Sequence, residues 1–112
     1  MRNELDIIKI TNKGFVEALD EVKKVLSQCD KDTQKLFIDK FKKNMDKDLR
    51  AKIRMYDDSV RLNSFEKLIT LKETVKYILK KCDLSESDKT LINKLYKYLD
   101  DMHKHFVDIK YS

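Results

Sequence analysis

The chain contains a single glycine, Gly14, and no proline. Tight turns, β-bulges and strand ends in β proteins draw heavily on these two residue types, because glycine tolerates positive φ and proline fixes φ in a turn conformation. Hydrophobic residues make up 41% of the chain and charged residues 40%, and the two kinds interleave at helical spacing. The sequence therefore predicts an all-α protein whose helices are joined by short polar turns.

Apolar residues recur every three or four positions in four segments, which predict helices near residues 15–29, 33–60, 64–82 and 87–110. Leu5 and Ile8 continue the apolar spacing of the first segment towards the N-terminus. The first helix therefore starts near residue 3, or a separate short helix precedes it. The expected helix starts have residues that can cap a helix N-terminus: Asp32, Asn63 with Glu66 three residues later, and Ser85 with Asp88.

Every predicted connection is only a few residues long, and short connections make consecutive helices antiparallel neighbours. We therefore predict an antiparallel up-down-up-down four-helix bundle that forms one domain over residues 1–112. The residues predicted to be buried lie on the apolar stripe of each helix: Leu26, Phe41, Ile53, Val75, Leu95, Leu99 and Phe106.

The two halves of the chain resemble each other. Aligning residues 15–30 with residues 68–83 without gaps gives five identical positions, among them Cys29 with Cys82. A shift of one residue then pairs Lys40 with Lys94. One interpretation is a duplicated helical hairpin, with residues 12–60 equivalent to 65–112, and such a repeat is compatible with a homodimer. The alternative is that two lysine-rich amphipathic helices aligned in phase share residues by chance.

Few residues are arranged for catalysis or metal binding. His103 and His105 are two apart on a helix, so their side chains diverge, and we expect surface histidines rather than a shared metal site. Cys29 and Cys82 each fall on a core stripe and precede an acidic residue, which predicts buried, inert thiols. Paired carboxylates such as Asp100 and Asp101 are expected on solvated faces. The sequence thus predicts a protein that is not an enzyme and holds no cofactor.

One surface feature stands out, a line of cations spaced by three, four or seven residues along the second predicted helix. It consists of Lys40, Lys43, Lys47, Arg50, Arg54 and Arg61. These residues lie about 180° from the core stripe at 100° per residue, and cations repeating along a line can follow a phosphate backbone. Acidic residues also lie on or beside the line, namely Asp39, Asp46, Asp57 and Asp58. Polyanion binding and a merely solvated face both stay open.

Three function classes follow. The leading one is a regulatory or adaptor module that binds a protein partner, with Tyr77, Tyr96 and Tyr98 as candidate contact residues because tyrosine combines a large apolar area with a polar group. The second is binding of a nucleic acid or another polyanion. The third is a peripheral membrane or immunity-type bundle, although we do not expect a membrane partner. The charged N-terminus and unpatterned cysteines predict a cytoplasmic protein.

Overall fold

The computed structural model describes residues 3–55 and 61–111. These residues form four helices and no strand: α1 (Glu4–Leu26), α2 (Lys31–Met55), α3 (Ser64–Lys81) and α4 (Glu86–Tyr111). The predicted all-α class and helical bundle are confirmed, and α1 is the longer helix that starts near residue 3. Tyr56, Val60, Asp57 and Asp58, which the sequence placed on the second helix, lie outside the described residues.

Side-chain caps define three of the helix starts. The capping side chains accept hydrogen bonds from the backbone N–H three residues later, as in Asn3 to Asp6 at 2.8 Å, Asn63 to Glu66 at 2.9 Å and Ser85 to Asp88 at 3.2 Å. The prediction that Asp32 caps α2 is wrong. Helix α2 already begins at Lys31, so Asp32 lies within its first turn. There its carboxylate interacts favourably with the positive end of the helix dipole.

The helices alternate in direction, and α3 is the central one. It packs against α1, α2 and α4, and α1 also packs against α4. Helices α1 and α3 run parallel, since Asn12 contacts Ser64 and Phe15 lies beneath Lys67. The consecutive helices α1 and α2 share few contacts. A short connection therefore did not make them close neighbours, because α2 lies along α3 instead.

The apolar core is formed mainly by α1, α3 and α4, and α2 contributes Phe37 to it. Of the predicted core residues, five are buried, namely Leu26, Val75, Leu95, Leu99 and Phe106. The other two, Phe41 and Ile53, are only half-buried, which corrects the prediction for α2. Their helix contributes only Thr33 and Phe37 as buried residues, because the face that α2 turns towards α3 differs from its most apolar stripe.

Close approach of α1 and α4 depends on the single glycine. A Cβ atom built on Gly14 would lie 1.9 Å from Cζ of Phe106, far inside van der Waals contact. The ring of Phe106 therefore occupies the space that any other residue at position 14 would fill. Phe106 is 3% exposed, so the glycine allows a large core side chain to reach the backbone of α1.

Polar contacts hold α2 against α3. Four pairs follow one another along the two antiparallel helices: Lys40 with Tyr77, Asn44 with Thr74, Asp48 with Thr70, and Lys52 with Glu66. We call this interface the polar seam. The face of α2 that carries Phe37, Asn44 and Asp48 therefore meets α3. The periodicity of the sequence predicts a different face, with Ile38, Met45 and Leu49 beside Phe41 and Ile53, and each of these three residues follows a residue of the observed face by one position, or about 100°. Phe37 is 3% exposed, whereas Ile38 is 46% exposed.

Candidate binding surfaces

The predicted basic line divides into three parts in the structure. Lys43, Lys47, Arg50 and Arg54 are the part that stays together, exposed along the outward side of α2, where they line one shallow depression with Asp46. We call these four residues the basic face. Within the described part of the chain none of the four forms an ion pair with a carboxylate.

The two ends of the predicted line have different surroundings. Lys40 is half-buried, and its ammonium lies 4.1 Å from the centre of the Tyr77 ring, a cation–π contact that draws it to the α2–α3 seam. Arg61 does not belong to α2 as described. It lies just before the start of α3 and lines a separate depression with Leu62 and Lys67.

That second depression is a site which the sequence did not predict. Its apolar lining comes from Met45 and Leu49 of α2 together with the buried Leu62, and its charged lining comes from Arg61, Lys67 and Asp46. We call it the apolar notch. The sequence pattern contains part of this site, because Met45 and Leu49 belong to the apolar stripe of α2 and α3 leaves both partly uncovered.

The three candidate tyrosines are not gathered into one patch. Tyr77 is exposed beneath Lys40 at the α2–α3 seam. Tyr96 and Tyr98 are half-buried and pack against the core, so less of each ring is exposed for contact with a partner. The pKa of Tyr98 is raised by burial and by the nearby carboxylates Glu21 and Glu17 of α1, so it lies at the α1–α4 seam.

Asp88 links the start of α4 to the turn between α1 and α2. It is 2% exposed, and its carboxylate accepts hydrogen bonds from the Thr33 hydroxyl at 2.7 Å and the Asp30 backbone N–H at 3.1 Å. Cys29 lies beside it, and the pKa of its thiol is raised to about 11 by burial, Asp88 and Asp30. The thiol is therefore protonated at neutral pH and is a poor nucleophile.

Both cysteines are free thiols in the structure. Cys29 is buried, as predicted, whereas Cys82, at the end of α3, is only half-buried. No group of three or more histidine, cysteine or acidic side chains that could hold a metal occurs in residues 3–55 and 61–111.

A polar cluster lies between α3 and α4 where the sequence suggested solvated faces. The Lys72 ammonium donates to Asp100 at 2.8 Å and to Nδ1 of His103 at 3.1 Å, and Lys104 also pairs with Asp100 at 3.0 Å. These hydrogen bonds lower the pKa of Asp100 to about 2. Burial and Lys72 lower the pKa of His103, whose ring meets the edge of Phe65.

This cluster corrects two expectations. Asp100 is paired with two lysines rather than merely solvated, and His103 is half-buried rather than a surface residue. His105 is exposed and carries no equivalent set of partners. Because lysine can only donate, Nδ1 of His103 must accept, which places the proton of the neutral ring on Nε2.

No protein-family model, curated protein or solved structure matches the chain. Across the described residues, none of the helices has the length and apolar composition needed to cross a bilayer.

Proposed function

We propose that the protein is a non-enzymatic adaptor module, acting in the cytoplasm, that binds an amphipathic helix of a partner protein along the uncovered apolar side of α2. The observation that carries the proposal is the apolar notch, where Met45 and Leu49 remain half-exposed beside the buried Leu62. Apolar side chains left partly open at helical spacing are the usual receiving surface for a helix in a groove.

The length of the uncovered side suits several turns of helix. Ile38, Met45, Leu49 and Ile53 share this side of α2 and are separated by seven, four and four residues. From Ile38 to Ile53 the rise is about 22 Å at 1.5 Å per residue, or about four turns. A partner helix laid along it would present apolar anchors at positions i, i+4, i+7 and i+11.

The charges around the notch favour an acidic partner. Among the described residues that line it, Arg61 and Lys67 stand against one carboxylate, that of Asp46, and the chain as a whole has a net charge of +5. Glutamate or aspartate beside the apolar anchors would meet Arg61 and Lys67, which favours both encounter and register. The protonated thiol of Cys29 supports a role in binding rather than nucleophilic catalysis.

A display library of helical peptides of about 18 residues, randomised on both faces, tests the proposal. We expect selection on the immobilised protein to enrich sequences with apolar residues at i, i+4 and i+7 flanked by aspartate or glutamate. Fluorescence anisotropy with an enriched peptide then measures its affinity for three proteins: the native chain, Leu49→Glu and Tyr111→Glu.

We expect Leu49→Glu to weaken binding of the peptide by about tenfold or more, because it places a charge in the apolar contact. Tyr111→Glu is the matched control, since it puts the same charge on an exposed aromatic residue at the far end of α4. Circular dichroism checks that both variants remain helical. Failure to enrich such peptides, or equal binding by native protein and Leu49→Glu, would contradict the proposal.

A further inference from the structure

We infer that the basic face of α2 is a second binding surface, which takes the phosphodiester backbone of a nucleic-acid duplex. It differs from the apolar notch, because Lys43, Lys47, Arg50 and Arg54 line a depression on the outward side of the helix that shares Asp46 with the notch but none of these four cations. All four side chains are exposed, so no core contact has to break before a ligand reaches them.

The arrangement of the cations separates this face from the rest of the surface. The four residues are spaced by four, three and four positions, so they lie in one line, and Asp46 is the one carboxylate among the described residues that lines the same depression. Helix α2 carries nine lysines and arginines against four acidic residues, whereas α1 has four against five and α4 has five against five. Net positive charge is therefore greater along α2 than along α1 or α4.

The length of the line fits a regular polyanion. From Lys43 to Arg54 the rise is about 16 Å, and over that distance a duplex carries about five phosphates on each strand. A rigid helix holding four cations can contact several of these phosphates without bending the duplex. Phosphate contacts alone carry no base information, so binding should be independent of sequence.

Two other polyanions fit the face less well. A single strand is held largely by stacking of its bases on aromatic side chains, and none lines this depression within residues 3–55 and 61–111. An anionic membrane is bound by cations together with apolar side chains that enter the lipid, yet the described residues lining this depression are four cations and one aspartate. A duplex needs only the line of charges.

Fluorescence anisotropy with a labelled DNA duplex of about 20 base pairs tests the inference at low salt and through a salt titration. We expect a log–log salt slope of about 3 to 4 in magnitude, from about 0.9 for each of four phosphate contacts. A duplex of unrelated base sequence should bind equally well. Vesicles containing anionic lipid form the second arm of the experiment, and we expect no retention of the protein on them at the same salt.

Paired variants identify the surface. The double variant Lys47→Glu with Arg50→Glu should abolish duplex binding. The control is Lys94→Glu with Lys97→Glu, which changes two exposed residues of α4 with the same spacing and the same change of charge. The control should reduce duplex binding only slightly. Asp46→Asn should strengthen binding, because it removes an opposing charge from the depression. Absence of binding by the native protein, equal damage from the two pairs, or retention on vesicles alone would overturn the inference.

Discussion

Helix α3 takes part in two interfaces of opposite character. Towards α1 and α4 it buries Leu71, Val75 and Ile78 completely, in an apolar core. Towards α2 its buried residues are Thr70 and Thr74, whose hydroxyls bond to Asp48 and Asn44. Apolar burial gives large stabilisation without direction, whereas hydrogen-bonded pairs fix a register but add little net free energy.

This difference explains how α2 keeps apolar residues at the surface. If α2 were held by its apolar stripe, Met45 and Leu49 would face α3 and no notch would exist. Because Asn44 and Asp48 face α3 instead, the stripe is rotated to one side and the basic face points outward. Both proposed binding surfaces therefore depend on the polar seam, and the stability of the bundle depends on the apolar core.

The largest difference should appear when one side chain is truncated in each region. Leu99 is fully buried, and we expect Leu99→Ala to lower the free energy of unfolding by about 2 to 5 kcal/mol, since it leaves a cavity in the core. Ile53 of α2 is only half-buried, so Ile53→Ala removes little buried apolar area. It should lower the free energy of unfolding by less than about 1 kcal/mol. Urea unfolding measures both, and losses of similar size would show that α2 is as firmly packed as the core.

A smaller effect should identify the polar seam. The Asn44 side chain donates to Thr74 at 2.9 Å, and a double-mutant cycle of Asn44→Ala and Thr74→Val should give a coupling energy of about 0.5 to 1.5 kcal/mol. Thr90→Val is the control, because the Thr90 hydroxyl donates to the carbonyl four residues earlier, as that of Thr74 does, but Thr90 is exposed. It should change the free energy of unfolding by less than about 0.5 kcal/mol. A coupling near zero would mean that α2 is held by something other than these pairs.

The helices could be predicted from periodicity because it reports which residues avoid water, and α1, α3 and α4 are each held by apolar burial. Leu95, Leu99 and Phe106 were predicted correctly for this reason. The same rule misplaced the packing face of α2, where the contacts are made by Asn44 and Asp48. A polar residue in an interface looks like a surface residue until its partner on another helix is known.

The candidate sites show the same division. Helical spacing was enough to place Lys43, Lys47, Arg50 and Arg54 on one face, since they are neighbours within a single helix. The apolar notch needed Leu62 and Lys67 to come beside Met45, and the polar cluster needed Lys72 beside His103. These contacts join different elements, so no local pattern encodes them. The proposed duplication stays a prediction, although α3 and α4 pack closely whereas α1 and α2 do not.

The smallest expected effect is a pH dependence of stability that arises where α3 packs against α4. Three charged groups surround His103: Lys72, Glu73 and Asp100. Its ring is neutral in the folded state, accepting from Lys72, so protonation would break that hydrogen bond and place two positive charges together. The folded protein therefore binds this proton less readily than the unfolded chain, in which the pKa is about 6.5.

The sign of the effect follows from proton binding. Where the unfolded chain holds more protons, the free energy of unfolding rises with pH, so His103 should make the protein more stable at about pH 7.5 than at about pH 5. Asp100, whose pKa is lowered to about 2, loses its contribution only at more acidic pH and does not enter this window. Urea unfolding across the window should show the rise in the native protein and in His105→Gln, and a flatter profile in His103→Gln. If His103→Gln keeps the full rise, or if the native protein loses stability as the pH increases, then the contact between Lys72 and His103 does not join α3 to α4 in the way we describe.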